Sequence, residues 1–350
     1  MSSKFTNKNK GELAQLRELS ARIGEDPLLT QASTGNTSIK LDDVLWIKAS
    51  GKWLADARHE DILVPLDLRE VKRYICQQVD PAEVYACASI ETAMHAVLPH
   101  PVVLHVHSVN TIAWSVRQDA RQQLHRQLNG LRWQWVPYVP SGLPLAQEIE
   151  SALSVSVDPN VLVLGNHGLV IAGDSCEEVT HLLSEVERRL AIHPRAAKAA
   201  DYHTIEQIIE RSSWELPEDD GVHALAIDRA SQVVLSGGIL FPCQSMFSNS
   251  TSREMFQAIS CPFSMDECES LLLLRPFLMI DGRGVIVQKT MTASQRAMLS
   301  GLARVVQRIN PSAPIHYLSD AEVEYSARTI ASRYLEKAGA NAVPMDTSLA

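Results

Sequence analysis

Three histidines and one glutamate are the residues of this sequence whose types and spacing could do chemistry. His105 and His107 flank Val106 in PVVLHVHS, a run whose β-branched content reads as a strand. Alternation puts both imidazoles on one face, about 6.5–7 Å apart along the strand, within reach of a single ion. A His-x-His pair alone is more often polar surface, or core that has found partners, than a metal site. His167 shifts that balance. It lies in GNHGLV between two apolar runs, where glycine neighbours let backbone and ligand approach closely. Three histidines with an open coordination position describe a catalytic site for zinc or a similar divalent ion. Glu91 follows Ser89 in the first turn of a predicted helix, a place where many glutamates simply complement the helix dipole. His95, one turn later, reads as a buried structural histidine. The polar turn with Ser33, Thr34, Gly35, Asn36, Thr37 and Ser38, followed after a strand by Ser50 and Gly51, is commonly just a turn. It also offers backbone N–H and hydroxyl donors suited to a phosphate or carboxylate.

The elements that must position these groups follow from periodicity. GELAQLRELSARIG (11–24) sets Leu13, Leu16, Leu19 and Ile23 at helical spacing and stops at Gly24. VLWIKASG and DILVPLDL read as strands, with TQASTGNTSIK as the polar turn before them. SIETAMHAVLPH is a helix ended by Pro99 and Pro101. TIAWSVRQDARQQLHRQL continues as helix after PVVLHVHS. VDPNVLVLGNHGLVIAGDS reads as strand, turn, strand. CEEVTHLLSEVERRLAIH is an amphipathic helix. HPRAAKAADYHT, with ELPEDDG shortly after it, reads as a linker. Beyond it, LAIDRASQVVLSGGILFP and FLMIDGRGVIVQKT are expected strands. The segments around SMDECESLLLL, TASQRAMLSGLARVVQRI and SDAEVEYSARTIASRYLEKA are expected helices. Strands alternating with helices predict an α/β architecture.

The chain has 350 residues, 45% hydrophobic and 21% charged, enough for about two domains at ~150 residues each. We place the division at 1–200 and 201–350. A net charge of −9 argues against nucleic acid, whose binding needs basic surface, and against docking on anionic lipid. Cys76, Cys87, Cys176, Cys243, Cys261 and Cys268 are scattered without a CxxC, as expected for reduced thiols. The first residues lack the apolar segment of a secretory signal, and no run reaches the ~18–20 apolar residues of a membrane span. A cytoplasmic protein is expected.

The pieces STGNTSIK, IKASGKWL, DILVPLD, ASIETAMH, LHVHS and LGNHGLVIAGDSCEE, in this order over about residues 10–195, resemble the class II aldolase/adducin family. QASTGNTSIK with LWIKASGKWLADA is similar to a branch carrying an additional C-terminal unit, to which GGILFPCQSMF, DGRGVIVQKT and IHYLSDAEVE here are similar. The resemblance implies a three-layer α/β/α class II aldolase-like domain with a smaller C-terminal α/β unit. It implies that His105, His107 and His167 ligate a divalent metal, zinc first, and that Glu91 is the catalytic acid/base. It further implies that Ser33, Asn36, Ser50, Gly51 and Ser89 hold the substrate phosphate. Two departures stand out. The family's Ser-Ser-Glu is Ser89–Ile90–Glu91 here, and the branch's frequent Pro-Asp-His is Pro242–Cys243–Gln244. The implied activity is metal-dependent aldol cleavage of a small phosphorylated sugar or sugar acid by a homo-oligomer, a tetramer in homologous aldolases. An adducin-like scaffold, or an epimerase, decarboxylase or hydrolase on the same site, are the alternatives. The second unit is expected to serve docking, oligomerisation or covering of the site.

Overall fold

The computed structural model describes residues 7–155, 158–247, 256–260 and 275–339. Its centre is a seven-stranded sheet in the order β3-β2-β1-β4-β7-β6-β5. The strands are β1 (Asn36–Leu41), β2 (Val44–Lys48), β3 (Leu63–Asp67), β4 (Val102–Val106), β5 (Trp133–Val136), β6 (Val161–Leu164) and β7 (Gly168–Gly173). All neighbours pair antiparallel except β5 with β6. Period-two alternation assigns the faces. On β4, Val102, Leu104 and Val106 pack beneath the helices Asn7–Gly24, Ala120–Gln127 and Cys176–Leu190. Val103 points the other way, toward Met94, Leu98, Leu145 and Ile149 of the helical layer containing Thr92–Val97 and Leu143–Val155. The result is a three-layer α/β/α domain followed by a C-terminal α/β region.

Several local expectations require correction. The stretch from Asn36 is strand β1, lying beside β4, and only the residues before it form the turn. Its polar side chains sit in the interior because each finds a partner: Thr37 Oγ1 lies 2.7 Å from Ser20 Oγ, and Ser38 Oγ lies 2.6 Å from His95 Nδ1. The helix after Ser89 begins only at Thr92, so Glu91 occupies its N-cap position without capping it. The expected long helix from Thr111 is two helices, Val109–Ser115 and Ala120–Gln127. A C-terminal segment separates them, because His316 N donates to the carbonyl of Val116 and Gln118 N donates to that of Pro314. β5 and the helix Leu143–Val155 carried no expectation.

In the C-terminal region, LAIDRASQVVLS is helical rather than extended, as Ala224–Ile227 and Arg229–Ser236. Asp228 caps the second helix by accepting from Ala230 N and pairs with Arg195. Phe277–Ile280 (β9) and Gly284–Gln288 (β10) form the expected hairpin, joined by Trp214–Glu215 (β8) in a three-stranded sheet of order β8-β10-β9. Thr292 and Gln295 form a reciprocal capping box on the helix Ala293–Val306. Asp320–Gly339 is the last helix. The expected helix at SMDECESLLLL lies outside the described residues.

The core of the C-terminal region is continuous with the first half of the chain. Val109, Ile112, Ala113 and Val116 are buried among Leu225, Leu240, Phe247, Leu302 and Val306. The linker is anchored too, since Arg195 donates to Asp228, to Ser231 and to the carbonyls of Val306 and Ile309.

Candidate metal centre

His105 belongs to β4, with Asn36 of β1 and Val170 of β7 as its neighbours across the sheet. His107 stands one residue beyond the strand. His167 sits in the turn Gly165–Gly168, which the closeness of β6 and β7 makes tight. A Cβ on Gly168 would lie 2.5 Å from the carbonyl oxygen of Val106, so only glycine lets β7 approach β4 there. The three rings pack edge to face with centroids 4.9–5.1 Å apart.

The ligand atoms converge. His107 Nε2 lies 3.1 Å from His105 Nε2. Glu91 Oε1 lies 3.4 Å from His105 Nε2 and 3.2 Å from His167 Nε2. A tetrahedral ion with nitrogen ligands at about 2.0–2.1 Å has ligand-to-ligand edges of about 3.4 Å, so the donor set fits a small divalent ion. All four side chains are at most 6% exposed. Burial pushes the His105 imidazole down to about 4 and holds His107 well below its usual value. Both rings are therefore neutral near pH 7 and keep a lone pair. His105 Nδ1 faces the carbonyl oxygen of Leu169 at 3.1 Å; a carbonyl only accepts, so the ring hydrogen is on Nδ1 and Nε2 is the free donor atom. The three histidines thus form a buried cluster able to hold one metal ion.

Glu91 is held from behind. Asn36 Nδ2 donates to its Oε2 at 2.7 Å and to Ser89 Oγ at 3.0 Å, while Ser141 Oγ donates to Oε1 at 3.3 Å. Asn36 Oδ1 in turn accepts from His95 Nε2, whose Nδ1 meets Ser38. Burial pushes His95 down to about 3, so it is neutral and structural, as expected. Burial alone would raise the Glu91 carboxyl. Hydrogen bonding from His167 and the positive charge that the neighbouring histidines can take up oppose that effect and hold it well below the usual carboxylate range.

A pocket of about 170 Å³ opens onto Glu91, His107 and His167. Ser33, Asn36, Ser50, Gly51 and Ser89, the expected anion-holding residues, all line it. Asn36 does so with its amide already committed to Ser89 and Glu91. Two loops meet here because Ser50 N donates to the carbonyl of Cys87 and Ala49 bridges to Ala88. Gly51 has φ +74°, a left-handed conformation that glycine adopts without strain. Lys48, buried at the end of β2, donates to the carbonyls of Ser33 and Lys52 and ties both loops to the sheet.

Residues that sequence reasoning did not place at the site come from elsewhere in the chain. Ser141 and Lys48 line the pocket. Pro242, Cys243, Met246, Met298 and Thr329 bring the C-terminal region to its wall, beside Ile90. Asn166, next to His167, has φ +51° and donates to the carbonyls of Leu240 and His316. The lysine inside an apolar strand and the Cys243 in place of an acid were the signals available. Burial pushes the Cys243 thiol up to about 12, so it is a neutral thiol.

Residues 14–193 match the family model of the class II aldolase and adducin N-terminal domain, just over half of the 350-residue chain. The chain belongs to this family. It is 28% identical over 177 residues to the uncharacterised oxidoreductase YuxG of Bacillus subtilis strain 168, covering 44% of this chain and 25% of that protein. This chain therefore spans about a quarter of the length of the relative it matches. Among solved structures, the N-terminal class II aldolase domain of a conserved Thermoplasma acidophilum protein is 23% identical, with TM-score 0.46 over 54% of this chain and 97% of that one. The l-fuculose-1-phosphate aldolase of Thermus thermophilus is 17% identical, with TM-score 0.38 over 51% of this chain and 91% of that one. Among the described residues, no helix is long and apolar enough to cross a membrane.

Proposed function

We propose that this chain is a metal-dependent lyase of the aldolase type, acting on a small phosphorylated sugar or sugar acid. The observation that carries the reading is the meeting of three buried imidazoles and one buried carboxylate at ligand spacing beside an open pocket. His105, His107 and His167 hold the ion, which we take to be zinc. The chemistry a bound divalent ion supplies here is Lewis-acid stabilisation of the negative charge that develops as a carbon–carbon bond beside a carbonyl breaks.

The protein's own groups do the rest. Glu91 takes a proton from a substrate hydroxyl or carbon and returns it, because Asn36 and Ser141 fix the carboxylate while its Oε1 faces the histidines. Ser89, Ser50 and the Ser33–Gly35 turn, with hydroxyl and backbone N–H donors, hold the anionic end of the substrate. Ile90, Met246 and Met298 add apolar lining to the same pocket. In this reading residues 1–200 form the catalytic unit and 201–350 cover it, in a cytoplasmic homo-oligomer. Epimerisation or decarboxylation would use the same charge stabilisation, so the substrate decides among them.

The test is metal analysis of the purified protein, followed by a screen of phosphorylated ketoses and sugar acids. One tightly held divalent ion per chain, with carbon–carbon cleavage of one compound in the screen, is expected. Absence of tightly bound metal, or turnover that persists in Glu91→Gln, would sink the proposal.

A further inference from the structure

Cys243 lies outside the family domain, in the short helical turn Pro242–Phe247, yet it is buried against the metal cluster. Its Sγ stands 3.1 Å from His107 Nδ1. The two nitrogens of His107 thus face different partners: Nε2 turns into the cluster toward His105, and Nδ1 turns out toward the sulfur. This repeats the arrangement of His105, whose Nδ1–H is held by the Leu169 carbonyl while Nε2 faces the cluster. A thiol sulfur is a weak acceptor, able to take the Nδ1–H of a neutral imidazole. It meets Nδ1 rather than Nε2 and stands outside the three-histidine cluster, so it does not belong to the ligand set.

A second contact fixes where this turn sits. Leu240 N donates to Gln244 Oε1 within the turn, while the Leu240 carbonyl accepts from Asn166, the residue preceding His167. The segment carrying Cys243 is therefore tied to one ligand loop while its sulfur touches another ligand.

We propose that Cys243 is a positioning residue of the metal centre, supplied by the C-terminal region: its sulfur holds Nδ1–H of His107 so that Nε2 faces the ion. This rests on the metal-binding reading above. Partners of this kind orient a ligating imidazole, and their loss typically weakens metal binding about 10–100-fold.

The experiment uses the full chain, stripped of metal and titrated with Co²⁺ against a competing chelator, with the visible spectrum of the bound ion as a second readout. Cys243→Ala is expected to bind Co²⁺ about 10–100-fold more weakly with an altered spectrum. Cys243→Ser and Cys243→Asp, which restore an acceptor at that position, are expected within about threefold of the parent, because an acceptor is what the second partner of a ligating imidazole provides. They also carry the test if the alanine variant does not fold. Parent affinity and spectrum in Cys243→Ala would overturn the proposal. So would equal losses in Ser and Asp, since packing alone would then explain them. If the unmodified chain takes up no Co²⁺, the metal reading itself fails and this inference falls with it; uptake by the parent with no effect of Cys243 removes the inference alone.

Discussion

At Glu91 two effects oppose each other, burial favouring the neutral acid and the surrounding histidines favouring the carboxylate, and the carboxylate wins. Asn36 can donate to either a carboxylate or an amide oxygen, so Glu91→Gln keeps the shape of the network while removing the proton acceptor. We expect that variant to retain its metal and lose about 10²–10⁴-fold in turnover on whichever substrate the screen finds. Turnover near the parent value would remove Glu91 from the mechanism. His107→Ala removes one of the cluster's donors and should abolish stoichiometric metal while preserving the far-ultraviolet circular dichroism; a full equivalent of metal would place the site elsewhere. Ser89 Oγ accepts from Asn36 Nδ2 and from Glu91 N, which leaves the hydroxyl hydrogen as a donor. Hydrogen bonds to charged groups contribute roughly 1.5–3 kcal/mol, so Ser89→Ala should raise KM for a phosphorylated substrate about tenfold or more. The unphosphorylated analogue should be scarcely affected. Equal effects on both would mean that this serine serves only the turn.

The elements matter through how closely they approach. β4 and β7 run side by side so that His105, His107 and the His167 turn meet, and Gly168 is where the backbones crowd. A methyl group there would stand 2.5 Å from the Val106 carbonyl and 3.4 Å from His105 Cε1. Gly168→Ala must therefore displace β7 against β4 by a few tenths of an ångström or more. We expect at least a tenfold loss of Co²⁺ affinity, together with destabilisation of about 1–3 kcal/mol from overpacking. Chelator competition and urea unfolding measure the two effects. A variant with parent metal affinity would show that the turn tolerates more than its geometry implies.

At the scale of the whole molecule, the C-terminal region packs on the helix Val109–Ser115 and reaches the pocket with Cys243, Met246, Met298 and Thr329. Asn166 is its other link to the metal centre. Its side chain meets the Leu240 carbonyl, the His316 carbonyl and His316 Nδ1. Asn166→Gly keeps the left-handed backbone at no steric cost and deletes those bonds, so it isolates the contribution of the side chain. Leaving buried acceptors unpaired costs about 1–3 kcal/mol each, and a loss of about 2–4 kcal/mol is expected with a parallel drop in metal affinity. Unchanged urea midpoint and Co²⁺ binding would show that the C-terminal region does not brace the His167 turn.

The amino-acid sequence by itself determined the α/β class, most strands of the central sheet and the residues of the cluster. Alternation along PVVLHVHS is a local property, and so is the glycine-flanked turn around His167. What local pattern could not express was partnership. Asn36–Leu41 looked like a turn because its residues are polar, and only Ser20 and His95, distant in sequence, make burial of Thr37 and Ser38 favourable. LAIDRASQVVLS looked extended because its valines are β-branched, whereas the Asp228 cap and the Arg195 pair hold it as helix. The break at Val116 is made by backbone donors and acceptors of residues 314–316. Cys243 reads as an isolated thiol 136 residues from His107. Tertiary packing alone brings them together, because a hydrogen bond's direction and a pocket's wall depend on which surfaces meet in space, and side-chain periodicity records only which way each surface faces.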